Sequence, residues 1–248
     1  MHVRIIQAHP DPGSFNGALS RAATQALSRD GHTVSLQDLY ASGFDPVEKG
    51  AHYTNRHNAA AFVPLAEQRH AWQSGSVPAD VLTEIAELER ADLLVLQFPL
   101  WWHGPPAMLK GWFDRVFLSG GLYTSRMRYD AGYFRGRRAL LSVTTGAPES
   151  AFGPGARGGN FATMLWPLHY SLHYLGFTVL PPFTACGVQG HGYSYEDEST
   201  QKQRLGSVLE AWGAHVASAE TLPALPFPGW QDWDAAGQPL RTEHAARG

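Results

Sequence analysis

Cys186 is the one cysteine in a chain of 248 residues, which excludes an intrachain disulfide and a thiolate metal cluster. No apolar run approaches the roughly 18 residues that a membrane helix needs. Charge is sparse as well. Charged residues make up 17% of the chain, and a net charge of -3 leaves no basic face for nucleic acid. Met1 leads almost at once into the strand-like VRIIQA, with no signal-peptide pattern before it. Together these absences predict a cytoplasmic protein with no nucleic-acid partner and no membrane insertion. Two nucleotide signatures are missing too. There is no G-x-x-x-x-G-K-[ST] loop, and no G-x-G-x-x-G follows the first strand.

What the chain does have is a 44% hydrophobic content, twelve histidines and 12% aromatics including eight tryptophans. That profile suits a folded domain able to stack planar ligands. Apolar runs alternate with helical patterns. Strands are expected at 3–8, 32–39, 91–100, 138–145 and 177–183, with helices after the first turn and near 79–91, 106–118, 161–174 and 196–219. Residues 40–78 read as a long irregular excursion, of the kind that is often functional. This order predicts an α/β protein: a doubly wound, five-stranded parallel sheet of flavodoxin-like type over 1–221. A Pro-rich, aromatic arm is expected over 222–248.

In such sheets ligands bind beyond the carboxyl ends of the strands. The unusual residues cluster there: HPDPGSFN after the first strand, PLWWHG after the third and TTGAP after the fourth. Ser14 and Asn16 suit a helix cap, and amides at a helix start suit a phosphate; capping alone is the competing reading. Trp101 and Trp102 could flank a planar ring, or simply cover the sheet edge. Thr144, Thr145 and Gly146 offer hydroxyls and amides to the polar edge of a heterocycle. A phosphate grip, a stacking wall and a hydrogen-bonding edge describe a flavin site.

AHPDPGSFNGAL, QFPLWWHGPPAMLKGWFDRVF, ALLSVTTG and LWP…LHYLGF resemble the NAD(P)H:quinone oxidoreductase family of DT-diaphorase type. The resemblance covers about residues 3–212, and WQDWDAAG is similar to part of a family C-terminal extension. It implies an FAD enzyme (FMN less so), with NAD(P)H as co-substrate and a quinone-like acceptor. It further implies two-electron ping-pong hydride transfer in a homodimer with shared active sites. Position by position, His9, Ser14, Phe15, Asn16 and Ala18 match residues that grip the FAD diphosphate and ribityl chain. Pro99, Leu100, Trp102 and His103, with Trp101 beside them, match the flavin wall. Thr144, Thr145, Gly146 and Ala147 match the pyrimidine edge, Tyr123 a substrate tyrosine supplied across the dimer, and Arg204 an arginine near the adenine.

The chain departs from that pattern in the loop after TTG. Phe152 stands at a family tyrosine, Gly158 near a family histidine and Ala147 at a second glycine, so two side-chain donors for the reduced flavin are gone. His103 or Arg157 is expected to compensate, which makes His103, Tyr123 and Gly146 the candidate catalytic positions. Two alternatives stay open: an FMN-type azo- or nitroreductase, and a flavin-binding regulatory subunit of a potassium efflux system. His169 and His173, four apart on a helix, read as a surface or interface pair, and no metal site is expected. The arginines of SRMRYDAGYFRGRR could meet NAD(P)H phosphates or form a solvated loop, and Cys186 reads as structural.

Overall fold

Leu93–Pro99 is buried at every position, which only a strand covered on both faces can sustain. The computed structural model, which describes residues 1–190 and 196–240, places it at the centre of a parallel sheet. The strands are β1 (His2–Gln7), β2 (Thr33–Asp38), β3 (Leu93–Pro99), β4 (Arg138–Thr144), β5 (Thr178–Val179) and β6 (Phe183–Ala185). Their order is β2-β1-β3-β4-β5, with β6 also pairing β4. In register, Ile5 stands between Leu36 and Val95, and Val95 faces Leu140.

Among the described residues, six α-helices cover the two faces. They are α1 (Phe15–Arg29), α2 (Pro64–Ser74), α3 (Ala79–Arg90), α4 (Ala107–Val116), α5 (Phe161–Tyr174) and α6 (Glu198–Ala217). Leu19, Ala23 and Leu27 of α1 and Trp212 and Val216 of α6 bury one face together with Val3, Ile5 and Val95. On the other face α3, α4 and α5 bury Ile85, Leu88, Trp112, Val116, Leu168 and Leu172 against Ile6, Leu94 and Leu96. α1, α3, α4 and α5 each precede the next parallel strand, so all the strands point their carboxyl ends to the same side.

Three features differ from the sequence reading. The fifth strand is two short pieces, because Pro181 and Pro182 interrupt its ladder between Leu180 and Phe183. The 40–78 excursion contains α2, which the apolar pattern does not signal because its buried positions are Glu67, Gln68 and Ala71. Glu67 accepts hydrogen bonds from Arg56 Nε and from the amides of His57 and Asn58, which ties the excursion to the helix. The third concerns His169 and His173. They are not a surface pair but lie 5% and 9% exposed beneath the C-terminal arm. His173 Nε2 donates to the Pro228 carbonyl at 2.9 Å, and its ring stacks on Phe227 with centroids 4.7 Å apart. The arm, described to residue 240, also packs Leu225 against the main core. Residues 241–248 of the expected arm lie outside the described residues.

Burial pushes His169 down to about 4 and lowers His173 and His215 below the ordinary imidazole range. A group whose folded pKa is depressed stabilises the fold fully above its unfolded value of about 6.5. That stability is lost as pH falls toward the folded value. Urea unfolding at steps from pH 7.5 to 4.5 is expected to show a falling midpoint, and His169→Leu should flatten part of the fall. An identical pH slope in the variant would contradict the buried, neutral imidazole.

Candidate functional site

The β1–α1 turn is built from its own polar groups. Asp11 Oδ1 accepts from Gly13 N at 2.8 Å, the Asp11 carbonyl accepts from Ser14 N at 3.1 Å, and Asp11 N donates to His9 Nδ1 at 3.0 Å. Ser14 caps α1 by accepting from Gly17 N at 3.3 Å. Gly17 is required there, since a Cβ would sit 2.3 Å from the Pro12 carbonyl oxygen. With Ser14 serving Gly17, the amides of Phe15 and Asn16 are those the helix itself cannot satisfy. Such amides at a helix start suit an anion. Ala18 lies half-buried in the first turn.

Asn16 is directed inward. It is 3% exposed, its Nδ2 donates to Thr144 Oγ1 at 3.0 Å, and its Oδ1 accepts from Gln97 Nε2 at 2.9 Å. Gln97 also donates to the Ser142 carbonyl at 3.2 Å. One side chain therefore joins the carboxyl ends of β1, β3 and β4. The expected ligand contact from Asn16 can come only from its backbone.

Trp101 and Gly104 exchange backbone hydrogen bonds of 2.9 and 3.0 Å, which closes a two-residue hairpin. At its tip Trp102 and His103 both hold left-handed backbone, with φ of +50° and +62°. Successive non-glycine residues there cost about 1–2 kcal/mol each, a strain that persists at functional sites. Trp102 is 96% exposed, so core packing does not hold the tip in place. Trp101 tilts toward His9 with ring centroids 6.0 Å apart. Pro99 ends β3 and Leu100 donates to the Thr144 carbonyl at 2.9 Å, which anchors the hairpin to β4.

At the end of β4 both threonine hydroxyls are already engaged, Thr144 with Asn16 and Thr145 with the Ala147 carbonyl at 2.9 Å. These internal bonds fix the direction of both hydroxyls, and the backbone amides of Gly146 and Ala147 stand beside them as further donors. Gly146 is exposed, and a Cβ built on it would meet only the Val188 carbonyl, 3.7 Å away. Farther along the loop Phe152 stacks on Phe161 with centroids 4.2 Å apart. A Cβ at Gly158 would fall 2.7 Å from the Ala151 carbonyl, so this loop leaves no space for a side chain there. Arg157 is exposed.

Two expected residues lie outside these three turns, Arg204 next to the Thr145–Ala147 turn and Tyr123 away from it. Arg204 pairs with Glu196 at 2.5 Å and donates to the carbonyls of Cys186 at 3.2 Å and Gly187 at 2.8 Å, bracing the exit from β6. Tyr123 lines a separate cavity with Phe113, Tyr170 and Tyr174, none of them at a strand end. Cys186 is half-buried, and burial pushes its thiol up, in keeping with a structural role. Arg128, expected in a solvated loop or at a phosphate, is instead half-buried among aromatic rings. No local pattern marks that cage, because its rings come from three separate parts of the chain.

The crown fits a flavin. Free amides at the start of α1 suit a diphosphate, the strained indole-bearing hairpin offers a wall, and the exposed Gly146 lets a ring edge approach the backbone closely. Doubly wound topology with a crown of this kind defines a flavodoxin-like protein, and a family model described as flavodoxin-like fold matches residues 1–210. Among similar proteins is NAD(P)H dehydrogenase [quinone] 1 of Cavia porcellus, 42% identical, with 83% of this chain and 76% of that protein covered. Ribosyldihydronicotinamide dehydrogenase [quinone] of Homo sapiens is 40% identical, with 86% and 90% covered. A solved Klebsiella pneumoniae chain assigned as a quinone reductase superposes with a TM-score of 0.84 at 30% identity, covering 97% of this chain and 94% of that one. The chain belongs to the flavodoxin-like family of these quinone dehydrogenases.

Two outcomes follow. Asn16→Ala strands buried polar atoms of Gln97 and Thr144, and should lower stability by about 2 kcal/mol, measured by denaturant unfolding; an unchanged midpoint would contradict the strand tie. The double substitution Trp102→Asn with His103→Gly supplies the dipeptide that this turn prefers. It should raise stability by about 1 kcal/mol while weakening flavin binding. A loss of stability would show that the hairpin is not strained.

Proposed function

We propose that the chain is an FAD-dependent NAD(P)H oxidoreductase that reduces quinones by two electrons. The observation that carries this reading is the crown itself, in which a helix start, a strained aromatic hairpin and the exposed Gly146 stand at three strand ends. The named dehydrogenases to which the chain is similar support the same reaction. When bound, the flavin supplies a ring that takes a hydride from one substrate and passes it to the next.

The residues of this chain do the rest. Phe15 and Asn16 amides would hold the diphosphate, the hairpin of Trp102 and His103 would wall the ring, and the Gly146 and Ala147 amides would donate to its polar edge. Amides aimed where negative charge develops stabilise it without reorganisation. Here they act with Phe152 and Gly158 in place of side-chain donors, and His103 or Arg157 adds to them. Tyr123 lies outside the crown of its own chain, which favours a homodimer in which each subunit completes the other's acceptor pocket. Arg204, braced by Glu196, stands at the adenine end. FAD is favoured over FMN on that assignment. We assign residues 1–221 to the flavin domain and 222–248 to the arm. No helix among the described residues is long and apolar enough to cross a membrane.

Anaerobic titration of the FAD-loaded protein tests this directly. NADH or NADPH should bleach the flavin bands in one step, and a quinone added afterwards should restore them, as two separate half-reactions. Bound flavin that neither nucleotide reduces would overturn the reading and favour a regulatory flavoprotein.

A further inference from the structure

Tyr123 and Tyr174 meet edge to face, with centroids 5.6 Å apart and planes at 72°. Both line a cavity of about 350 Å³ together with Gln68, Phe113, Phe117 and Tyr170. Lys110 and Asp114, paired with each other, line its edge, and the volume and the cluster of aromatic rings suit a small planar ligand. Behind Tyr174 lies Arg128. Its Nη1 donates to the Tyr174 hydroxyl at 3.2 Å, and its Nη2 donates to the Ser125 carbonyl at 2.8 Å. The rings of Tyr129, Tyr174 and Trp230 lie 5.6, 5.3 and 5.2 Å from the guanidinium carbon.

This cation is unusually placed. Among the described residues no carboxylate forms an ion pair with it, and its Nε is buried without a hydrogen-bond partner. The cage is also held firmly. Trp230 Nε1 donates to the Arg128 carbonyl at 3.0 Å, and Trp230 N donates to Asp130 Oδ1 at 3.1 Å. Tyr129, between them, keeps a left-handed φ of +56° and packs against His173, Tyr174, Trp230 and Trp233.

The direction of the Arg128–Tyr174 bond has a consequence. A guanidinium can only donate, so the Tyr174 oxygen is the acceptor and its own hydrogen is left to donate elsewhere. A donor backed by a cation is a strong partner for a carbonyl or oxyanion. We infer that Tyr174 donates a hydrogen bond to a ring oxygen of the electron acceptor, with Arg128 holding and polarising it. The couple selects planar acceptors that carry a carbonyl over apolar rings of the same shape. Tyr174 is a binding residue here, and Arg128 a positioning residue. The assignment rests on the proposed reading, in which Tyr123 and its cavity face the acceptor.

The test is an equilibrium titration of oxidised, FAD-loaded protein without reduced nucleotide, so that nothing turns over. 1,4-Naphthoquinone and naphthalene are compared by quenching of tryptophan fluorescence. Tyr174→Phe should weaken naphthoquinone binding about fivefold to tenfold and leave naphthalene unchanged. Arg128→Met should act in the same direction, and Arg128→Lys should restore part of the loss. Naphthoquinone binding unaffected by Tyr174→Phe, or both ligands weakened alike, would overturn the inference. Recording NAD(P)H reduction of the same wild-type sample separates the two claims. Failure there overturns the proposed function, whereas normal reduction with an indifferent Tyr174 overturns this inference alone.

Discussion

Asn16 is the interaction on which the site depends. Parallel strands are joined along their length by backbone bonds, but their carboxyl ends diverge into loops with nothing regular to hold them. Here one amide side chain accepts from Gln97 on β3 and donates to Thr144 on β4, while standing in the helix that follows β1. Buried polar bonds of this kind contribute modestly when made and cost more when one partner is lost. Their value lies in geometry. Three loops that each carry part of a ligand site keep fixed relative positions because their roots are tied together.

Around that tie the chain stores strain where a ligand would lie. The hairpin of Trp102 and His103 holds two bulky residues in left-handed backbone, and Trp102 projects almost wholly into solvent. Neither choice favours the isolated fold, so both make sense as provisions for binding. The loop of Phe152 and Gly158 solves a different problem. It stacks Phe152 on Phe161 and leaves no room for a side chain at Gly158, so backbone amides are the nearest donors it brings to the crown. The same economy recurs at Tyr174, where a cation far away in sequence orients a hydroxyl.

Much of this is legible in the residues. The apolar run of β3, broken by Gln97 alone, announces a doubly covered parallel strand, and the polar clusters at the ends of three strands announce where a ligand binds. Other features are not, each for a physical reason. Pro181 and Pro182 split the last strand, which an apolar run alone does not reveal. Helix α2 is hidden because it buries Glu67 and Gln68 while Leu65 stays 54% exposed, the reverse of an amphipathic pattern. For Asn16 the place was readable but the direction was not. The side chain turns inward because Gln97 and Thr144 offer it partners there. Arg128 reads as a loop cation until Tyr174 and Trp230 are brought beside it by the packing of α5 and the arm.

The central claim is that the crown tied together by Asn16 is a flavin site, and the most direct measurement is a crystal structure of the protein grown with FAD. The account predicts the diphosphate at the amides of Phe15 and Asn16, the flavin ring between the Trp102–His103 hairpin and Gly146, and Tyr123 of the partner subunit facing that ring. FAD bound away from the ends of β1, β3 and β4, or a crown that takes up no flavin, would contradict it.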